Sequence, residues 1–160
     1  MTSLRLMQKV LYGLGVLFIL GAVVWLLRGA PGIRIPTPEE RARQKALEEL
    51  ERPFREDPYG GNTAEETRQI FLEALRKGDI ELAVKYFAPD RQERWRKNLL
   101  SIKAAGKFEE MISDLSRAEV EPKLSSDTLV IYEIVDQENL VIGQIKIFKS
   151  LNGKWKIDSI

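Results

Sequence analysis

Four aromatic side chains have the type to line a ligand cavity: Tyr86, Trp95, Tyr132 and Trp155. Each joins a large apolar ring to one polar atom, so it either fills a core or shapes a pocket. Acid–base chemistry in such a pocket would need a carboxylate turned inward beside Tyr86 or Tyr132. Asp114, Asp127, Glu133 and Asp158 are the candidates for that role. The adjacent pairs Glu65-Glu66 and Glu109-Glu110 do not suit it, because neighbours in a helix do not share a face. They read as helix surface near N-termini, where negative charge is favoured. The chain has no His and no Cys. That excludes a histidine base, a thiol nucleophile, a disulfide framework and a Cys/His zinc site. Gly106-Lys107 and Gly153-Lys154 lack the G-x-x-x-x-G-K-[ST] context of a phosphate loop. No catalytic residue, cofactor or metal ligand is therefore assigned from the residues.

These side chains sit in the last 98 residues, 63–160, which read as one α+β domain. Thr63 and Glu66 form a T-x-x-E box ahead of a helix with Ile70, Phe71, Ala74 and Leu75 on one stripe. Gly78 ends it and Asp79 caps the next helix, which turns Ile80, Ala83, Val84 and Phe87 inward. A third helix runs from Arg91 to about Ala105, and a short fourth one covers 107–115. The pattern then becomes strand-like. An edge strand is expected at Val120–Leu124, and longer strands at Thr128–Val135, Leu140–Lys149 and Lys154–Ile160. Gly143 marks a bulge or bend, and Asn152-Gly153 a hairpin turn. On the last strand, Trp155 and Ile157 take one face and Lys154, Lys156 and Asp158 the other. Three to four helices packed on a curved antiparallel sheet are the expected architecture.

The whole chain has 25 Lys+Arg against 24 Asp+Glu, a formal net charge of +1. Arg91, Arg94, Arg96, Lys97, Lys103 and Lys107 make the third helix basic, but the domain holds 16 basic and 17 acidic residues. A nucleic-acid partner would want a basic domain with exposed stacking aromatics, so none is expected. The basic face reads as solvated helix surface, part of which can meet anionic lipid or an acidic partner.

Ahead of the domain the chain changes character twice. After a short tail at 1–9, Val10–Leu27 is an 18-residue run without charge, bracketed by Lys9 and Arg28. As a helix it spans about 27 Å, close to a hydrocarbon core of about 30 Å. Twelve Leu, Ile, Val or Phe side chains favour the bilayer by about 4–7 kcal/mol at most. A single transmembrane helix is therefore expected, with the lipid bilayer as partner. Lys/Arg counting, with Arg28, Arg34, Arg41, Arg43 and Lys45 after the span, would keep the C-terminal side in the cytoplasm. The short basic region of Arg5 and Lys9 before the span is instead the usual start of an exported chain, so a C-terminal domain outside the cytoplasmic membrane is the expectation. Residues 28–62 read as a linker with a spacer helix over about 38–52, opened by a Thr37/Glu40 capping box and stopped before Pro53. Its narrow stripe of Ala42, Ala46, Leu47 and Leu50 suits a solvated spacer, or a short seam for a partner helix.

One stretch has a family likeness. Phe71–Phe87, with Ala74-Leu75, Gly78-Asp79 and then Ala83, Tyr86 and Phe87, resembles the opening helices of the nuclear transport factor 2-like superfamily. Gly153-Lys154-Trp155-Lys156-Ile157 is similar to the G-x-W-x-I ending of the same group. The resemblance covers Thr63–Ile160 and implies a cone-shaped, cystatin-like fold with a pocket between helices and sheet. That group includes ketosteroid isomerase and limonene-epoxide hydrolase relatives, whose catalytic members use pocket Asp, Tyr or His. Its members with one N-terminal anchor include secretion-system scaffold components and many extracytoplasmic bacterial proteins. With no His and no Asp–Tyr set to carry over, the expected function is a non-catalytic, membrane-anchored binding or scaffold module. Its partner would be a membrane protein or a small ligand in the pocket. A small-molecule isomerase- or hydrolase-like enzyme is the alternative.

Overall fold

A computed structural model describes residues 36–160, so the expected bilayer span at Val10–Leu27 lies outside the described residues. Among the described residues, no helix is long and apolar enough to cross a membrane. The chain divides into two compact units, Met1–Gln44 and Lys45–Ile160. In the first, Thr37 and Glu40 close the expected capping box. The Thr37 amide donates to Glu40 Oε2 at 2.8 Å and the Glu40 amide to Thr37 Oγ1 at 3.2 Å.

Helix α1, Pro38–Glu56, opens there and extends four residues beyond the expected stop. Pro53 lies inside it, lacking only its own amide donor. The following residues recover bonds elsewhere. The Ser150 hydroxyl donates to the Phe54 carbonyl at 3.1 Å, and the Asp57 amide reaches back to the Pro53 carbonyl at 3.2 Å. The last turn of α1 is thus held by the turn between the last two strands, a contact between distant segments that local propensity does not encode.

Four further helices and a four-stranded antiparallel sheet complete the second unit. Helices α2 (Ala64–Arg76) and α3 (Ile80–Lys85) fold back on each other around Gly78-Asp79. Gly78 takes φ +70, its amide closes on the Leu75 carbonyl, and the Asp79 amide reaches Ala74. Asp79 then caps Leu82 at 2.9 Å. Helices α4 (Gln92–Ala104) and α5 (Phe108–Ser116) follow. The strands β1 (Glu119–Val120), β2 (Leu129–Val135), β3 (Val141–Lys149) and β4 (Trp155–Ser159) pair in the order β1-β2-β3-β4. The expected edge strand over 120–124 is shorter. Pro122 opens a 3₁₀ turn over Pro122–Leu124 instead, capped by Glu121.

Two register slips shape the sheet. Ile134 faces Gly143 while Val135 faces Val141, which leaves Ile142 as an extra residue in β3. Lys146 faces Ser159 while Ile147 faces Ile157, which leaves Asp158 as an extra residue in β4. Such bulges bend the strand and re-aim side chains. The core lies between sheet and helices, around Phe71, Leu75, Phe87, Leu99, Ile145, Ile147 and Ile157, all fully or almost fully buried.

The outer edge of β4 is closed by other chain segments. The Trp155 amide donates to Gly61 O at 3.0 Å and the Ile157 amide to Tyr86 O at 2.9 Å, while the Ala88 amide donates to Ile157 O at 2.9 Å. An edge covered in this way offers no free ladder for aggregation. Gly60 is needed for that closure. Its φ is +111, and a Cβ there would lie 2.3 Å from the Trp155 carbonyl oxygen. Gly60→Ala should therefore cost about 1–3 kcal/mol or more, read as a lower denaturant midpoint with unchanged slope. A midpoint equal to wild type would show that this crossing relaxes freely.

Candidate functional site

The four aromatics separate in space. Tyr86 is half-buried and meets Tyr59 edge-on, with ring centroids 6.4 Å apart. Trp155 is buried in the core. Tyr132 is buried against α2, where its hydroxyl donates to Glu65 Oε2 at 3.1 Å and Arg68 lies over its ring. Trp95 alone of the four lines the largely apolar pocket of the helical end of the sheet.

That pocket has a volume of about 360 Å³ and is open to solvent. Its buried floor is Trp95, Leu115 and Ile134, and its walls are Ile102, Met111 and Ile160. The sheet side exists because of the bulge in β3, which brings Ile142 and Gly143 to the same opening. Trp95 stacks on Phe87 at 4.9 Å, and its Nε1–H donates to the Asp158 carbonyl, at the other bulge, at 3.4 Å. The indole is thus fixed from both ends and its only polar atom is already used. The polar members Lys107, Glu110 and Asp114 stand on the loop before α5 and along that helix. Asp114 pairs with Arg117.

Of the candidate acid–base carboxylates, only Asp114 reaches this pocket, and neither Tyr86 nor Tyr132 lines it. Asp127 is exposed, Glu133 accepts from Gln144 at 3.0 Å, and Asp158 lies 3.7 Å from Arg91. The carboxylate that does meet a tyrosine is Glu65, expected to be plain helix surface. Glu65 accepts from Arg68 at 2.8 and 2.9 Å and from Gln69 at 2.9 Å, as well as from Tyr132. The Arg68 bonds hold its carboxyl below the usual value. Burial, then the Glu65 charge, pushes the Tyr132 hydroxyl up to about 12. Glu65 is thus kept ionised and Tyr132 kept protonated, which suits a structural clasp between α2 and β2. Among the described residues, no group of three His, Cys, Asp or Glu can hold a metal ion.

This clasp has a pH signature. Tyr132 binds its proton more tightly folded than unfolded, so its contribution is intact below pH ~10 and declines towards pH ~12. Glu65 contributes above its unfolded value, and that contribution fades as pH falls through its lowered folded value. Wild type should lose more stability than Tyr132→Phe between pH ~10 and ~12, measured by urea unfolding. Parallel curves for the two proteins would rule the clasp out.

The remaining departure from expectation is Lys156. Alternation along β4 puts it on the face opposite Trp155 and Ile157, with Lys154 and Asp158, yet its side chain is 0% exposed. Its ammonium lies 2.8 Å from Asp57 Oδ2 and donates to the Lys85 carbonyl at 3.0 Å. Asp57 Oδ1 accepts from the Tyr59 amide at 2.9 Å, Gln92 approaches Oδ2 at 3.3 Å, and Asn152 donates to the Asp57 carbonyl at 2.6 Å. Burial lowers the Lys156 ammonium from the ordinary lysine value, and the Asp57 bond opposes this. No local pattern marks this pair, whose members are separated by most of the domain.

Residues 58–160, well over half of the chain, match the family described as Domain of unknown function (DUF4878). No curated protein and no solved structure matches the chain.

Proposed function

The chain belongs to the DUF4878 family, and from that premise we propose that it is a membrane-tethered, non-catalytic binding module that takes a small ligand in the pocket between α4, α5 and the bulged end of the sheet. The observation that carries this reading is the pocket's make-up. About 360 Å³ of open space is walled by seven apolar side chains, and no tyrosine–carboxylate pair faces it. A volume of that order falls in the range of small-molecule sites. Helices first, then an antiparallel meander, and the Gly78-Asp79 and Gly153–Ile157 elements support membership of the nuclear transport factor 2-like group and its cone-shaped, cystatin-like fold. The uncharged run Val10–Leu27 supports a single-pass anchor, with the domain outside the cytoplasmic membrane. On that arrangement the domain samples ligands or membrane proteins close to the lipid surface.

Native mass spectrometry of the full chain released from membranes tests the binding part. A small molecule should accompany wild type and be lost from Met111→Trp, which fills the pocket. Retention by Met111→Trp would place binding elsewhere. A reporter fused to the C-terminus tests the tether, and activity confined to the cytoplasm would reverse the proposed orientation. A second reading, an isomerase- or hydrolase-like enzyme, has one observation in its favour. Glu110 and Asp114 face the same pocket from successive turns of α5.

A further inference from the structure

We infer that the ligand of this pocket is an amphiphile with an apolar body and a cationic head, a primary amine being the simplest case. This inference rests on the binding reading above and adds the ligand's chemistry to it.

The interior sets the body. Its floor and walls are aliphatic or aromatic carbon, and the one polar atom among them, Trp95 Nε1, is committed to the Asp158 carbonyl. Those side chains offer a buried ligand group no free donor or acceptor, and an unpaired polar group in such a place is costly. Whatever enters must therefore be carbon throughout, with its polar part left at the mouth.

The mouth sets the head. Lys107, Glu110 and Asp114 line the opening. An adjoining hollow shares Ile142 and is lined by Arg117, Asp136, Gln137 and Glu138. The two together carry two cations and four carboxylates. Arg117 is already paired with Asp114, and the Asp136 carboxylate accepts from the Glu138 and Leu140 amides. Among the described residues, the carboxylates of Glu110 and Glu138 have no hydrogen-bond or ion-pair partner, and both residues are exposed. Lys107 is the opposing charge, and the balance at the mouth stays negative. An ammonium held there meets attraction, and a carboxylate meets repulsion. At exposed positions the effect is modest and falls with salt.

The test uses the full chain in nanodiscs of zwitterionic lipid, with its isoleucine δ1-methyl groups labelled for NMR. The probes are hexylamine, hexanol and hexanoate. Ile102, Ile134, Ile142 and Ile160 report on the pocket, and Ile80, on α3, serves as the control. Hexylamine should move the pocket methyls with an affinity about threefold to tenfold above hexanol, and hexanoate should bind weakest. The Glu110→Gln/Glu138→Gln double variant should bring hexylamine down to the level of hexanol and leave hexanol unchanged. Equal binding of all three probes, or a preference for hexanoate through Lys107, would overturn the cationic head and leave the pocket reading standing. Silence of the four pocket methyls towards every probe would overturn both. Pocket shifts that persist in Met111→Trp would also overturn the inference, because the probe would then be bound elsewhere.

Discussion

Asp57→Ala should cost about 3–5 kcal/mol, the largest loss expected from any substitution outside the apolar core. The reason is what remains behind. Lys156 is wholly enclosed, and among the described residues Asp57 is its only carboxylate partner, with the Lys85 carbonyl as the other acceptor. Removing Asp57 leaves an ammonium in a place where a charge has no solvent and no counter-charge. Against a total stability of about 5–15 kcal/mol, such a loss removes much of the margin. The variant has one escape, which is to release the proton. Burial already lowers the Lys156 value, and loss of the opposing Asp57 bond must lower it further. The unfolded lysine then holds more protons than the folded one over a wider range, so the deficit should shrink as pH rises towards the ordinary lysine value. Urea unfolding at several pH values reads this directly. The double variant Asp57→Leu/Lys156→Met should recover most of the loss, because it leaves no charge enclosed. A pH-independent deficit, or a double variant no better than Asp57→Ala, would mean that the pair is not what holds this region.

The second large effect belongs to Phe87. Its ring is fully buried, meets Phe71 edge-on at 5.4 Å and stacks on Trp95 at 4.9 Å. Phe87→Ala removes a phenyl ring from a packed core and should cost about 3–5 kcal/mol. The backbone of Tyr86–Ala88 also closes the edge of β4, so the space left behind sits beside a fixed strand and collapses poorly. The consequence reaches the site, because Phe87 stacks on Trp95, which lines the pocket. Phe87→Leu keeps most of the volume and should fold. It should still weaken hexylamine binding severalfold by freeing the indole, while the near-ultraviolet circular dichroism of Trp95 diminishes. Full affinity in a folded Phe87→Leu protein would show that the Trp95 position does not depend on this stack.

Much of the framework is legible in the sequence where the signal is local. The Thr63 cap, the Gly78-Asp79 corner and the apolar spacing of Phe71, Leu75, Val84 and Leu99 dictate helices that the structure contains. The β-branched density of residues 128–135 and the turn at Asn152-Gly153 do the same for the meander. The site is less legible because distant segments assemble it. Trp95 could be named as pocket lining, but Ile142 enters through a bulge that depends on the pairing of β2 with β3. Lys156 alternates with Trp155 and Ile157 just as a solvent-facing residue would. Only the arrival of Asp57 from the end of α1 encloses it. Glu65 and Tyr132 are 67 positions apart, so no spacing rule links them.

The same enclosure bears on where the folding unit begins. The family match starts at residue 58, one position after the counter-ion of Lys156. A fragment cut at that boundary would carry the whole sheet and the pocket, yet strand an ammonium in the interior and lose the Phe54 carbonyl that binds Ser150. The stretch recognisable by likeness is thus shorter than the stretch that supplies the partners of Lys156 and Ser150. A recombinant fragment beginning at Lys45, where the compact unit starts, should be soluble and cooperative where its counterpart beginning at Pro58 is neither.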